Sequence, residues 1–193
     1  RLMVEGERVE RHMHILTGGE AVNSKLSNAL FERWPNASVH GIYGLTETGT
    51  CDLFRCDKTD LPSNDSLGYP ARRIQVKTDP STSELLINTP FAMLGYLDMP
   101  ELTDETICDG WIRTGDIAEI NKDGGVTLRG RIKDLINRGG NKVAPIEVET
   151  VFADHPEIKA VLVTGVPASQ FGESIHMLVI PKNAKAPSKQ ELI

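Results

Sequence analysis

The chain has 193 residues and is acidic, with 21 Lys and Arg against 27 Asp and Glu for a formal charge of −6. Such a field repels nucleic acid and anionic membrane surfaces, so neither is expected as a partner. Hydrophobic residues make up 39%, yet no apolar run approaches the roughly 20 residues that cross a bilayer, and no integral membrane segment is expected. The length allows one full domain, or one domain and part of another. Arg1-Leu2-Met3-Val4-Glu5 opens no basic segment followed by an apolar run, so no secretory signal is expected, and a start at Arg1 suggests a chain cut from something longer. Cys51, Cys56 and Cys108 are odd in number and include no C-x-x-C pair. They read as reduced thiols of a cytoplasmic protein, not as a zinc site or disulfide framework.

In chain order, Val22, Leu26, Leu30 and Trp34 recur every four residues with polar residues between. That stripe predicts an amphipathic helix over 21–34, stopped by Pro35. A short strand is expected over 38–42. Tyr43-Gly44-Leu45-Thr46-Glu47-Thr48-Gly49-Thr50 is small, polar and glycine-bearing, which predicts a loop. From 66 to 131, β-type runs at 73–77, 84–88, 117–120 and 125–129 alternate with turn signals at Asp79-Pro80, Asp109-Gly110 and Asp123-Gly124, so a small β-rich subdomain is expected. After Arg131 comes a short apolar run, the pair Gly139-Gly140, and then Pro145 heading a helix whose Val148, Val151 and Phe152 share a face. His155-Pro156 stops that helix. Strands are expected over 158–166 and 174–181, joined by a turn over 167–172, which makes the last stretch a small α+β unit. Lys189-Gln190-Glu191-Leu192-Ile193 reads as the opening of a further helix.

Four short strings carry candidate chemistry, and each alone has a plainer explanation. Gly18-Gly19-Glu20 ahead of a helix could let a flat ligand or a phosphate approach bare backbone, or could be an ordinary helix start. The 43–50 run offers three threonine hydroxyls, one carboxylate and two glycines, a set suited to phosphate oxygens and Mg²⁺ and equally compatible with a solvated loop. Trp111-Ile112-Arg113-Thr114-Gly115-Asp116 puts an acid directly after a turn, where a paired-oxygen acceptor could take both hydroxyls of a ribose, or simply sit in the turn. Gly130-Arg131-Ile132-Lys133-Asp134 packs three charges between two apolar runs, as an exposed connection also would.

Their joint occurrence in order is specific. Tyr43-Gly44-Leu45-Thr46-Glu47-Thr48, then Gly95-Tyr96 with Pro100-Glu101-Leu102-Thr103, then Asp109 to Asp116, then Gly130 to Glu149 closely resemble successive signatures of the acyl-CoA synthetase, adenylation-domain and luciferase superfamily of adenylate-forming enzymes. The resemblance covers nearly the whole chain. It implies an α/β and α+β fold class: residues 1–132 as the C-terminal portion of the large AMP-binding domain (1–65 its α/β part, 66–132 its β-rich subdomain), and 133–193 as an incomplete, small, mobile C-terminal domain beyond the hinge. It implies Thr46 as a phosphate contact and Glu47 as the Mg²⁺ contact, with the backbone of Gly41, Ile42, Tyr43, Gly44 and Leu45 beside adenine and acyl group. Gly19, Glu20 and Ala21 match the adenine-contacting segment. Asp116 matches the aspartate that takes the ribose hydroxyls, Arg131 the arginine that supports the same sugar, and Lys133 the hinge. Gly139 and Gly140 would let the pantetheine arm of CoA pass close to backbone.

The activity so implied is acid:CoA ligation with ATP, Mg²⁺ and CoA. A carboxylic acid becomes its acyl-adenylate, and the thiol of CoA then expels AMP. Attack of a carboxylate on a phosphate joins two anions and calls for charge neutralisation and alignment more than covalent help. Two family signatures are missing, the Ser/Thr/Gly-rich phosphate loop expected before residue 1 and the acyl-contacting lysine expected after Ile193, so residues 1–193 alone are expected to make no adenylate. The stretch 68–86 is shorter than the family pattern, with Ser83-Glu84 where Gly-Glu is usual, which implies a trimmed hairpin. Other outcomes are transfer of the acyl group to a carrier protein, a luciferase-like oxidation, or a non-catalytic remnant serving as a binding module. The wording of 132–145 is of the CoA-ligase type.

Overall fold

The computed structural model describes residues 9–19, 24–49, 51–57, 66–152 and 155–183. The chain divides into two compact units, one comprising the residues through Thr114 with Ala118–Leu128, the other Gly115–Ile117 with the residues from Arg129 onward. Among the described residues no helix is long and apolar enough to cross a membrane.

The first unit opens with β1 (His14–Gly18), α1 (Ser24–Arg33) and β2 (Ser38–Tyr43). β1 and β2 are parallel, in register from His14↔Ser38 to Gly18↔Ile42, and parallel neighbours need a long crossover, which α1 supplies. The expected helix stripe is there in part. Leu30 and Val39 are buried with Ile15, Phe31 and Trp34 packed on them, but α1 ends at Arg33. Trp34 still donates its N–H to Leu30 O at 2.8 Å, and Pro35 then bars it from helical backbone. The first turn expected at 21–23 lies outside the described residues.

β3 (Leu53–Asp57) runs antiparallel to β2, and β4 (Ser66–Pro70) antiparallel to β3. After β5 (Gln75–Thr78) and β6 (Glu84–Asn88), α2 (Pro100–Thr106) starts on a proline, which suits the first helical position because its missing N–H would be unpaired there anyway. A two-residue turn at Asp109-Gly110, both at positive φ, folds β7 (Ile107–Cys108) back on β8 (Trp111–Ile120). β9 (Val126–Arg131) completes a sheet of order β1-β2-β3-β4-β9-β8-β6-β5, with β7 on the side of β8. Its core gathers Leu53, Ile74, Leu85, Ile87, Ala118 and Val126, and each large side chain so buried contributes about 1.5–3 kcal/mol.

The second unit contains a 3₁₀ turn (Ile132–Asp134), the hairpin β10 (Ile136–Arg138) and β11 (Asn141–Val143), α3 (Pro145–Phe152), and the long hairpin β12 (Ile158–Ala168) and β13 (Gly172–Pro181). The sheet order is β11-β10-β13-β12. β12 and β13 each run two residues further toward their shared turn than the sequence suggests, because Phe171 and Gly172 at positive φ tighten that turn. α3 lies against β12, with Glu149 Oε1 accepting the Val163 N–H at 2.8 Å. Val151, expected to share a face with Val148 and Phe152, is exposed.

Candidate active site

In the first unit the candidate residues gather where β1 and β2 end. Ligands of open α/β sheets sit at the carboxyl ends of the strands, and here those ends are Gly18-Gly19 and Tyr43-Gly44. Gly19 has φ +86, and among the described residues nothing lies within 4 Å of where its Cβ would stand. Glu20 and Ala21 lie outside the described residues, as does Thr50. Gly41 and Ile42 lie within β2 itself, and Tyr43 is its last residue.

Residues 46–48, expected as loop, form a 3₁₀ turn. Its geometry is set from beneath. Leu45 donates its N–H to Thr48 Oγ1 at 3.1 Å, and the Thr48 hydroxyl lies against the Asp52 carboxylate. Both Thr48 and Asp52 are fully buried. Of the three threonine hydroxyls read as phosphate donors, that of Thr48 is therefore turned inward, while Thr46 is exposed. Burial pushes the Asp52 carboxyl above its ordinary range, against the opposing effect of the Thr48 hydrogen bond.

Glu47, at the centre of the turn, is held from the side. Its Oε1 accepts the Tyr96 hydroxyl at 2.6 Å and its backbone O accepts the Met93 N–H at 2.8 Å. A Cβ on Gly49 would lie 2.6 Å from Phe91 O, so the turn and the segment after β6 touch backbone to backbone. The Tyr96 N–H in turn reaches Thr103 Oγ1 of α2 at 2.9 Å. The hydrogen bond to Glu47 raises the Tyr96 phenol above its ordinary value.

Among the described residues no group of three His, Cys, Asp or Glu is arranged to hold a metal ion. A single half-buried carboxylate, Glu47, suits Mg²⁺ of the kind that arrives with substrate phosphates and keeps several waters, and does not suit a resident metal cage.

In the second unit, Asp116 and Arg131 meet. Arg131 Nε donates to Asp116 Oδ1 at 2.5 Å. Asp116 does not follow a turn, as the sequence suggested. It lies within β8, whose alternate residues Ile112, Thr114, Asp116 and Ala118 are all buried. Lys133 is in the 3₁₀ turn directly after β9. Gly139 and Gly140, at φ +59 and +86, make the two-residue turn of the β10–β11 hairpin, beside a hollow of about 330 Å³ lined by Arg138, Gly139, Asn141, Val143 and Phe171. Tyr96 and Asp52 were given no role from sequence. Tyr96 stands 49 residues from Glu47, and no local pattern links them.

No protein-family model matches the chain. It is 34% identical over 163 residues to the fatty acid–[acyl-carrier-protein] ligase ScoC of Streptomyces coeruleorubidus, covering 78% of this chain and 31% of that protein. It is 32% identical over 183 residues to the long-chain-fatty-acid–CoA ligase of Salmonella typhimurium, covering 89% and 32%. The ATP-bound structure of MatB from Rhodopseudomonas palustris superposes with a TM-score of 0.80 at 26% identity, over 92% of this chain and 37% of that one. The chain thus spans about a third of the length of the relatives it matches. Fold and kinship together define a segment of an adenylate-forming enzyme. The chain belongs to the superfamily of the acyl-CoA synthetases and related acyl ligases.

Proposed function

We propose that the whole protein activates a carboxylic acid with ATP and transfers the acyl group to CoA. In the first half-reaction a carboxylate oxygen attacks the α-phosphorus, the bond to the β-phosphate breaks, and pyrophosphate leaves. In the second the thiolate of CoA attacks the acyl carbonyl carbon and AMP departs. The observation that carries the reading is the seating of Glu47 just past the carboxyl end of β2, the strand whose Ile42 pairs with Gly18 at the end of β1, with its carboxylate held by Tyr96.

In this reading Gly19, with Glu20 and Ala21, flanks the adenine, and the backbone of residues 41–45 lies beside the adenine and the acyl group. Thr46 offers its exposed hydroxyl to a phosphate oxygen. Glu47 takes the Mg²⁺ that accompanies the nucleotide, which when bound neutralises charge on the transferring phosphates. Asp116 accepts the ribose hydroxyls while Arg131 fixes its carboxylate. Lys133 is the hinge between 1–132 and 133–193, and the side-chain-free turn Gly139-Gly140 passes the pantetheine arm. Retention of Thr46, Glu47, Asp116 and Arg131 together supports an enzyme over a binding module. A carrier-protein acceptor is the second reading, favoured by the kinship to an acyl-carrier-protein ligase.

The test is an acid panel on the full-length protein with ATP, Mg²⁺ and CoA. CoA-dependent AMP release with one class of acid is the expected result. Pyrophosphate release with no consumption of CoA would transfer the protein to the second reading, and silence across the panel would overturn both.

A further inference from the structure

Strand alternation sorts β1 and β2 into two faces. Ile15 and Val39 pack toward α1. On the opposite face lie Gly18 and Ile42, since a Cβ on Gly18 would come within 3.7 Å of Ile42 Cβ, and with them Leu16, His14, His12 and His40 at two-residue steps. β3 continues this face with Phe54, paired to Ile42, and Cys56, paired to His40. Moving back from the strand ends, the first row of this face is Gly18, Ile42 and Phe54, and the next is Leu16, His40 and Cys56. His14 Nδ1 and His40 Nε2 share a hydrogen bond of 2.9 Å, and the His12 ring meets His14 edge-on at 5.1 Å. The outer nitrogens, His14 Nε2 and His40 Nδ1, make no hydrogen bond among the described residues.

We infer that the His14–His40 pair is the far end of the acid-binding groove and selects acids bearing a second hydrogen-bonding group, a carboxylate or hydroxyl, at the end remote from the reacting carboxyl. The inference rests on the adenylation reading, which places the reacting carboxyl at the ends of β1 and β2. A tail running back from Tyr43 crosses Ile42 and reaches His40 after roughly 10 Å, at about 3.3 Å per strand residue. A plain alkyl tail laid there leaves the His14–His40 hydrogen bond in place but gives the outer nitrogens, His14 Nε2 and His40 Nδ1, no ligand partner, and a site built to hydrogen-bond a polar group discriminates against the analogue lacking it.

The experiment measures acid-dependent ATP–pyrophosphate exchange by the full-length protein with octanoate and its dicarboxylic counterpart, suberate. Suberate is expected to have the higher kcat/KM by about tenfold or more. His40→Leu is expected to raise KM for suberate and lower it for octanoate, with His40→Gln retaining part of the suberate preference. Preference for octanoate, or equal losses with both acids in His40→Leu, overturns the inference. Exchange with acetate or benzoate but with neither eight-carbon acid overturns it too and leaves the adenylation reading standing, whereas no exchange with any acid removes both.

Discussion

The Tyr96 hydroxyl donates to Glu47 Oε1 at 2.6 Å, and the Met93 N–H reaches the backbone O of the same glutamate at 2.8 Å. Side chain and main chain of Glu47 are thereby pinned by one short segment after β6, so the carboxylate presents a fixed oxygen and needs no reordering to meet a cation. Tyr96→Phe removes one hydrogen bond to a charged group, and the stability change is expected to stay near 1–2 kcal/mol in urea denaturation. Adenylation by the full-length protein is expected to fall more than stability does, with a raised Mg²⁺ requirement. The raised phenol gives an independent readout. A folded pKa above the ordinary value means the bond's contribution is complete below about pH 10 and is lost as pH rises through the folded value. In ultraviolet titration Tyr96 ionises late, as does Tyr69, whose hydroxyl donates to Asp123, and Tyr96→Phe removes one of these late ionisations. The bond is absent if the phenol that the variant loses is one that ionises at the ordinary value of 10.0.

Beneath the turn, Asp52 is buried and its carboxyl is raised, with desolvation as the main cause. The folded state therefore binds its proton more tightly than the unfolded chain does. The group's favourable contribution is complete below the ordinary value of 3.8 and is lost as pH rises through the folded value, so at neutral pH the buried charge weighs against folding. Asp52→Asn can still accept from Thr48 and is expected to be as stable as the native chain at pH 7 or more so, with its advantage shrinking as pH approaches 4. Asp52→Ala leaves the buried Thr48 hydroxyl only its bond to Leu45 O at 3.1 Å and is expected to lose about 1–3 kcal/mol at pH 4 and less at pH 7. An Asp52→Asn protein clearly weaker at pH 7 than at pH 4, relative to the native chain, contradicts this sign.

The sequence made some of this legible and hid the rest for identifiable reasons. The β5–β6 and β12–β13 hairpins, and the Asp109-Gly110 turn, follow from local pattern and turn chemistry. β3 went unseen because its inward residue Arg55 is charged yet buried, which breaks the apolar alternation that marks a strand. The front half of β8 was lost in the same way, since Thr114 and Asp116 occupy core positions. Thr114 holds its place by donating to Leu85 O at 2.8 Å, a partner 29 residues away. Glu47 and Asp116 were named through ordered resemblance to a family, whereas the residues that hold Glu47 in place, Tyr96 above all, depend on long-range contacts that no spacing encodes.

Gly49 and Gly124 share nearly the same backbone, φ +89 and φ +87, but differ in surroundings. A Cβ on Gly49 would stand 2.6 Å from Phe91 O, while Gly124 has nothing within 4 Å. Gly124→Ala is expected to lose only the left-handed strain of about 1–2 kcal/mol. Gly49→Ala adds the collision with backbone and is expected to lose clearly more, and to loosen Glu47 as the segment carrying Met93 moves away. Equal losses in urea denaturation would show that the close approach to Phe91 is not maintained in solution.

Asp116 is buried to 3% exposure and Arg131 Nε lies 2.5 Å from its Oδ1, so the carboxylate is both desolvated and oriented before any ligand arrives. If it takes the ribose hydroxyls, Asp116→Asn in the full-length protein weakens ATP binding by about tenfold to a hundredfold, the equivalent of one or two hydrogen bonds to a charged acceptor. Loss of affinity alone does not separate a sugar contact from a damaged core. The separating measurement pairs the variant with 2′,3′-dideoxy-ATP in a double-mutant cycle by calorimetry. The native protein discriminates between ATP and the dideoxy analogue, and Asp116→Asn binds the two nearly alike. Full discrimination retained by Asp116→Asn assigns the sugar to another residue and leaves the Asp116–Arg131 pair a purely structural tie between β8 and the end of β9.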